Sequence, residues 1–187
     1  MPSGNSGNSG NSGNSGNSGN SGNSGNSGKI RYAVLMDNKK LCIHLATAID
    51  LHNVKTCARL AYTKYLARMD RQPAPMVADF AHQIALGQIY VATSGSLFSG
   101  FVVFYKESDH IHLENIAVMP ESSGKGIGKA LIEFVEQCAH DAEINAIELY
   151  TNEVMTENIA IYTRLGYEET ERKREDGFNR VYFSKLL

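Results

Sequence analysis

The chain has 187 residues, 42% of them hydrophobic and 20% charged, with a formal net charge of −2. So slight an acidic excess argues against a nucleic-acid or anionic-membrane surface. No apolar run approaches the ~20 residues needed to span a bilayer and no signal peptide reads from the polar N-terminus, so a cytoplasmic protein with neither a membrane nor a nucleic-acid partner is expected.

Ser3 to Gly28 is an uninterrupted Ser-Gly-Asn repeat without an apolar residue to bury. Such a segment cannot offset the entropy of ordering itself, so residues 1–28 read as an engineered, disordered spacer. Residues 29–40 read as a leader or a short strand. The remainder, residues 41–187, is about 150 residues and has the usual size of one domain. Leu41 to Ala46 predicts a strand. Thr47 then caps a helix, with Asp50 three residues on in a capping-box position, and apolar residues from Ile49 to Tyr65 recur at helical spacing. Pro73 and Pro75 must end that helix. A second helix is expected over Val77 to Leu86, and a hairpin over Gln88–Thr93 and Gly100–Tyr105 around a loop at 94–99.

Ile111–Val118 predicts a central strand, Gly126–His140 a helix, Ala146–Thr151 a strand, and Thr156–Leu165 a helix stopped by Gly166. Tyr167–Glu171 and Arg180–Leu186 complete the set, joined by a turn at Asp176-Gly177. The order β-α-α-β-β-β-α-β-α-β-β is a mixed-sheet α/β fold. Strand–helix–strand at its centre implies one parallel pair among antiparallel neighbours. Cys42, Cys57 and Cys138 are odd in number, far apart and set among apolar residues. They read as small hydrophobes in a reducing compartment.

The segment Glu121–Ala130, ESSGKGIGKA, joins the central strand to the next helix. Gly124, Gly126 and Gly128 remove side chains, so a ligand can approach the backbone. Free N–H groups and the helix dipole favour an anion there, most often a phosphate, and Lys125 and Lys129 add positive charge. A Walker loop requires Ser or Thr after Gly-Lys, but Ala130 follows Gly128-Lys129, and Ser123 stands in the first glycine's place. A dinucleotide fingerprint would need its third glycine where Lys129 stands.

Ser123-Gly124-Lys125-Gly126-Ile127-Gly128 resembles the acetyl-CoA loop of the GNAT superfamily of N-acetyltransferases, written Gln/Arg-x-x-Gly-x-Gly/Ala, at both required glycines. It departs at Ser123, where the family usually carries Gln or Arg. A second segment, Thr156 to Tyr167, resembles the family's helix with a tyrosine followed four residues later by Gly-Phe or Gly-Tyr, here Tyr162 and Gly166-Tyr167. The family often places Asn seven residues before that tyrosine. Met155 stands there, with Asn152 and Asn158 on either side. The resemblance covers roughly Leu41 to Leu187, and the predicted element order agrees with that fold.

This resemblance implies direct transfer of acetyl from acetyl-CoA to a primary amine, small or peptidic, in a ternary complex. Acetyl-CoA would lie in a gap between two splayed parallel strands, its pantetheine arm against the backbone of Ile116, Ala117 and Val118. An N–H there would stabilise the oxyanion. The pyrophosphate would sit on Ser123, Gly124, Lys125, Gly126, Ile127, Gly128 and Lys129, with Asn152 and Asn158 as further cofactor contacts. Tyr162 would protonate the departing thiolate. A phenol of pKa ~10 can serve a thiol of ~8.5 when positioned, although Ile159 and Leu165 would equally suit Tyr162 as a core aromatic.

Glu114, in Leu113-Glu114-Asn115, resembles the glutamate of some polyamine-acetylating members. It is either the base that deprotonates the amine, directly or through water, or a solvated strand residue paired with a cation. His110, His112 and Glu114 alternate on one strand face, a spacing that rarely converges on one ion, so no metal is expected. Arg68 and Arg71 lie where the family builds its acceptor site and could hold a substrate carboxylate or form surface ion pairs. Exposed strand edges in this fold often pair between protomers, which leaves a homodimer open. Two other functions remain. One is an acyl-CoA-binding sensor without significant turnover, suggested by Ser123; the other is a nucleotide-binding protein using the glycine loop.

Overall fold

The computed structural model describes residues 31–36 and 39–187. The repeat at 1–28 lies outside them. Among the described residues eight strands form, most of them from apolar and β-branched runs: β1 (Arg31–Met36), β2 (Lys39–Leu45), β3 (Ile89–Ser94), β4 (Leu97–Lys106), β5 (Ile111–Val118), β6 (Ala146–Asn152), β7 (Glu168–Glu175) and β8 (Phe178–Leu186). They make one sheet of order β1-β2-β3-β4-β5-β6-β8-β7. Every neighbouring pair is antiparallel except β5–β6, which is parallel. That pair runs only from Ile111↔Ile147 to Leu113↔Leu149; beyond it the strands part.

Four helices cover the sheet: α1 (Leu51–Tyr62), α2 (Phe80–Ala85), α3 (Ile127–Asp141) and α4 (Thr156–Arg164). In α3, Ile127, Ala130, Leu131, Phe134 and Val135 recur at helical spacing and are buried. They form, with Ile147, Leu149 and Phe183, the core on one face. On the other face Val54, Cys57 and Ala58 of α1 and Phe80 of α2 pack on Phe101 and Val103 of β4. A Cβ at Gly100 would lie 2.6 Å from the Ala117 carbonyl oxygen, so only glycine lets β4 and β5 approach this closely.

Local chemistry moved several expected boundaries. Helical spacing carries α1 only to Tyr62; Thr63–Arg68 continues as 3-10 turns. The expected helix over Val77–Leu86 starts only at Phe80, because the Asp79 side chain accepts the His82 N–H and caps it there. The β3–β4 loop is tighter than expected, with Gly95 at φ 62° in a two-residue turn. The last hairpin turns at Asp176-Gly177 as expected, both residues having positive φ, and its strands run further toward that turn. Among the described residues no helix is long and apolar enough to cross a membrane.

Candidate active site

The parting of β5 from β6 opens a cavity of about 720 Å³ bounded by α1, β5, α3 and α4. Beside it, against Pro73–Pro75 and the β8 residues Phe178 and Arg180, lies a second cavity of about 70 Å³. Tyr62, Ile116, Asn158 and Tyr162 line both.

The glycine loop frames the large cavity. Gly124 and Gly126 have φ of 76° and 78°, a left-handed conformation that an L side chain would strain. Gly126 leads directly into α3, and no side chain caps that helix. Its first N–H groups are therefore free donors at the positive end of the helix dipole. Gly128 is already helical. A Cβ there would meet Val118 Cγ2 at 3.7 Å, an ordinary contact, so its bareness serves the cavity rather than the backbone. Ser123, Gly124, Gly126, Ile127, Gly128 and Lys129 line that cavity. Lys125 instead donates to the Glu121 carbonyl at 2.6 Å.

On the facing strand edge, Ile116 has its carbonyl turned away from β4, accepting from the Tyr62 hydroxyl at 3.2 Å. Strand alternation puts Val118 on the same side and Ala117 toward β4, where Phe101 is its partner. Tyr62, 7% exposed, also donates to Asn115 Oδ1 at 2.8 Å. Tyr62 and Asn115 were not among the residues marked by sequence. Tyr62 reads there as one more apolar position of α1, and no local signal reports a partner in β5.

The β4–β5 register slips between Val103 and Phe104, which oppose Asn115 and Leu113. Glu114 is thus the extra residue of a β-bulge. Ile111 and Leu113 before it face the α3 core, as do Ile116 and Val118 after it, while Ala117 faces the α1 core. The bulge therefore directs two consecutive polar side chains, Glu114 and Asn115, toward the small cavity. Strict alternation of His110, His112 and Glu114 could not foresee this pairing. His112 Nε2 lies 3.2 Å from Glu114 Oε2. That hydrogen bond, with the charges of His112 and Arg180, holds the Glu114 carboxyl below its ordinary range against the upward push of burial. His110 continues outward to Asp109 at 2.9 Å and Glu148 at 3.7 Å. Among the described residues no group of three or more His, Cys, Asp or Glu is placed to hold a metal.

Tyr162, on α4, is 5% exposed and packs against Tyr167 and Phe183 at centroid distances of 5.9 and 5.8 Å. Burial pushes its phenol well above the ordinary value. Its ring belongs to the core, as apolar spacing suggested, yet its side chain lines both cavities. Asn158, which also lines both, accepts the Tyr65 hydroxyl at 3.2 Å. Asn152 lines only the small cavity and accepts the Val154 N–H at 3.1 Å. Arg68 is held by Glu157 at 2.9 and 3.0 Å, and Arg71 donates to the Asp176 carbonyl at 3.0 Å. Neither arginine lines either cavity, so the carboxylate-holding alternative for them does not match their placement.

The model of the Acetyltransferase (GNAT) domain matches residues 85–169. The fold is similar to that of paia N-acetyltransferase from Thermoplasma acidophilum, solved in complex with coenzyme A, with a TM-score of 0.68 at 18% identity over 79% of this chain and 99% of that one. Two curated relatives match over shorter stretches. "Probable N-acetyltransferase family 8 member 5" of Mus musculus is 30% identical over 49% of this chain and 43% of its own length. The "UPF0157 protein YqkA" of Bacillus subtilis (strain 168) is 33% identical over 38% of this chain and 20% of its own length. The chain thus spans less than half the length of either curated relative.

Proposed function

The chain belongs to the GNAT acetyltransferase superfamily, and on that premise we propose that it transfers acetyl from acetyl-CoA to a primary amine by direct attack. In this reading the large cavity takes acetyl-CoA and the small one takes the amine. The observation that carries the proposal is the shared wall: Tyr162 lines both cavities, where donor and acceptor would meet.

The pyrophosphate lies on the free N–H groups from Gly124 to Lys129, with Ser123 beside them. The pantetheine arm extends along Ile116, Ala117 and Val118, which have no strand partner on the β6 side. The Ile116 backbone, held by Tyr62, offers the N–H that stabilises the oxyanion. The amine enters as an ammonium, attracted to ionised Glu114. Its proton passes to Glu114, directly or through water. The neutral amine attacks the thioester carbonyl, the C–N bond forms, and the C–S bond breaks. Tyr162 gives its proton to the leaving thiolate, and the proton the nitrogen sheds as it becomes an amide restores the phenol.

A phenol held well above its ordinary pKa is a weak acid, but the leaving thiolate is desolvated in the same place. Burial carries the Cys57 thiol of this chain up to about 12, and a buried thiolate would rise in the same way, restoring the driving force for proton transfer. Asn158 is the cofactor contact of the asparagine pair that fits this arrangement, since it alone lines the large cavity. Titration calorimetry with acetyl-CoA, and with ATP as control, tests the donor site. Tyr162→Phe should lower kcat by about a hundredfold or more while acetyl-CoA binding is kept. Unchanged turnover in that variant would remove Tyr162 as the acid.

A further inference from the structure

Four features of the small cavity bear on which amine it accepts. Its volume is about 70 Å³, a tenth of the large cavity's 720 Å³, so a small end of the acceptor is what reaches Tyr162. Its walls include Met69, Pro73, Pro75, Met155 and Phe178, which favour carbon. Its anion is Glu114, which attracts an ammonium. Its cation, Arg180, is 14% exposed and already neutralised: it pairs with Glu175 and with Asp176 at 3.0 Å, and lies 4.2 Å from the Tyr150 ring.

The other charges nearby are also spent. Arg68 is engaged by Glu157, and Arg71 by a backbone carbonyl and the Phe178 ring. A carboxylate beside the reacting amine would meet no unpaired cation and would face Glu114. The second ammonium of a polyamine would find Glu157, Glu175 and Asp176 each already bound to an arginine. Burying either charge unpaired is costly.

We infer that the acceptor is a primary monoamine on a slim apolar or aromatic carbon chain, with no carboxylate beside the amine. This rests on the acetyl-transfer reading above. A free amine such as 2-phenylethylamine and the N-terminus of a peptide beginning with an apolar residue share that chemistry.

The experiment compares kcat/KM for 2-phenylethylamine, a peptide amide beginning with phenylalanine, free phenylalanine and spermidine, with acetyl-CoA binding measured in parallel. The inference predicts that the first or second exceeds both phenylalanine and spermidine by about tenfold or more; which of those two leads identifies the source. The double variant Glu175→Gln/Asp176→Asn releases Arg180. Glu175 ends β7 and Asp176 lies in the hairpin turn, where Asn tolerates the positive φ of residue 176. In that variant the discrimination against phenylalanine should shrink by about tenfold. Phenylalanine or spermidine used as well as the apolar amines, or no shift in the double variant, overturns the inference while leaving acetyl transfer intact. Binding of acetyl-CoA without turnover of any amine overturns it in favour of an acyl-CoA sensor. Absence of acetyl-CoA binding overturns both.

Discussion

Two glycines two residues apart have different physical reasons to be glycine. Gly126 needs a left-handed backbone, so Gly126→Ala should destabilise the fold by about 1 kcal/mol, visible as a lowered denaturant midpoint. Gly128 needs only space in front of it. Gly128→Ala should leave stability nearly unchanged and weaken acetyl-CoA binding, read by calorimetry. Glu114 has a signature in pH. Its folded carboxyl titrates below the ordinary range, chiefly through the His112 hydrogen bond. Ionised Glu114 therefore stabilises the fold fully above the unfolded carboxylate value of about 4.3, and that contribution is lost as pH falls through the lower folded value. Glu114→Gln should flatten the acid limb of a stability-versus-pH curve; an unchanged limb would mean that the pairing with His112 contributes nothing to stability.

At the scale of elements, α3 joins the glycine loop to the core. Phe134 packs against Tyr32, Tyr90 and Phe104 at centroid distances of 5.7, 5.0 and 6.1 Å. Phe134→Ala should cost about 3–5 kcal/mol in chemical denaturation and loosen the helix whose N-terminus faces the large cavity. The bulge in β5 is the other decisive element. One extra residue at Glu114 reverses which side chains face which core. Without it Glu114 and Asn115 would point to opposite faces, and only one of them could reach the small cavity.

The whole molecule makes its site by failing to finish its sheet. β5 and β6 pair over Ile111–Leu113 and then part, leaving strand-edge donors and acceptors that a ligand must satisfy. A ligand that fills this gap binds the folded chain and not the unfolded one. At a hundred times its dissociation constant acetyl-CoA should add about 2.7 kcal/mol, raising the melting temperature by several degrees for a domain of this size. ATP at the same concentration should not. Equal shifts for the two would point to the glycine loop as a general phosphate site.

Much of this architecture was legible in one dimension, because its signals are local. Period-two and period-3.6 burial, proline breaks and glycine stops lie within a few residues of what they control, so β5, α3, β6 and α4 are found within a residue or two of their expected bounds. The glycine loop at the head of α3 was legible for the same reason, since its glycines, lysines and following helix are contiguous. The small cavity was not. It joins Tyr62 of α1, Asn115 of β5 and Arg180 of β8, residues far apart in the chain, and nothing local announces their meeting. Nor does the sequence reveal that Arg68, Arg71 and Arg180 are all occupied, because a charge is free or spent only according to what the fold brings beside it. Composition and local pattern were enough for the glycine loop and its helix; the small cavity exists only where distant segments converge around the unpaired end of a strand.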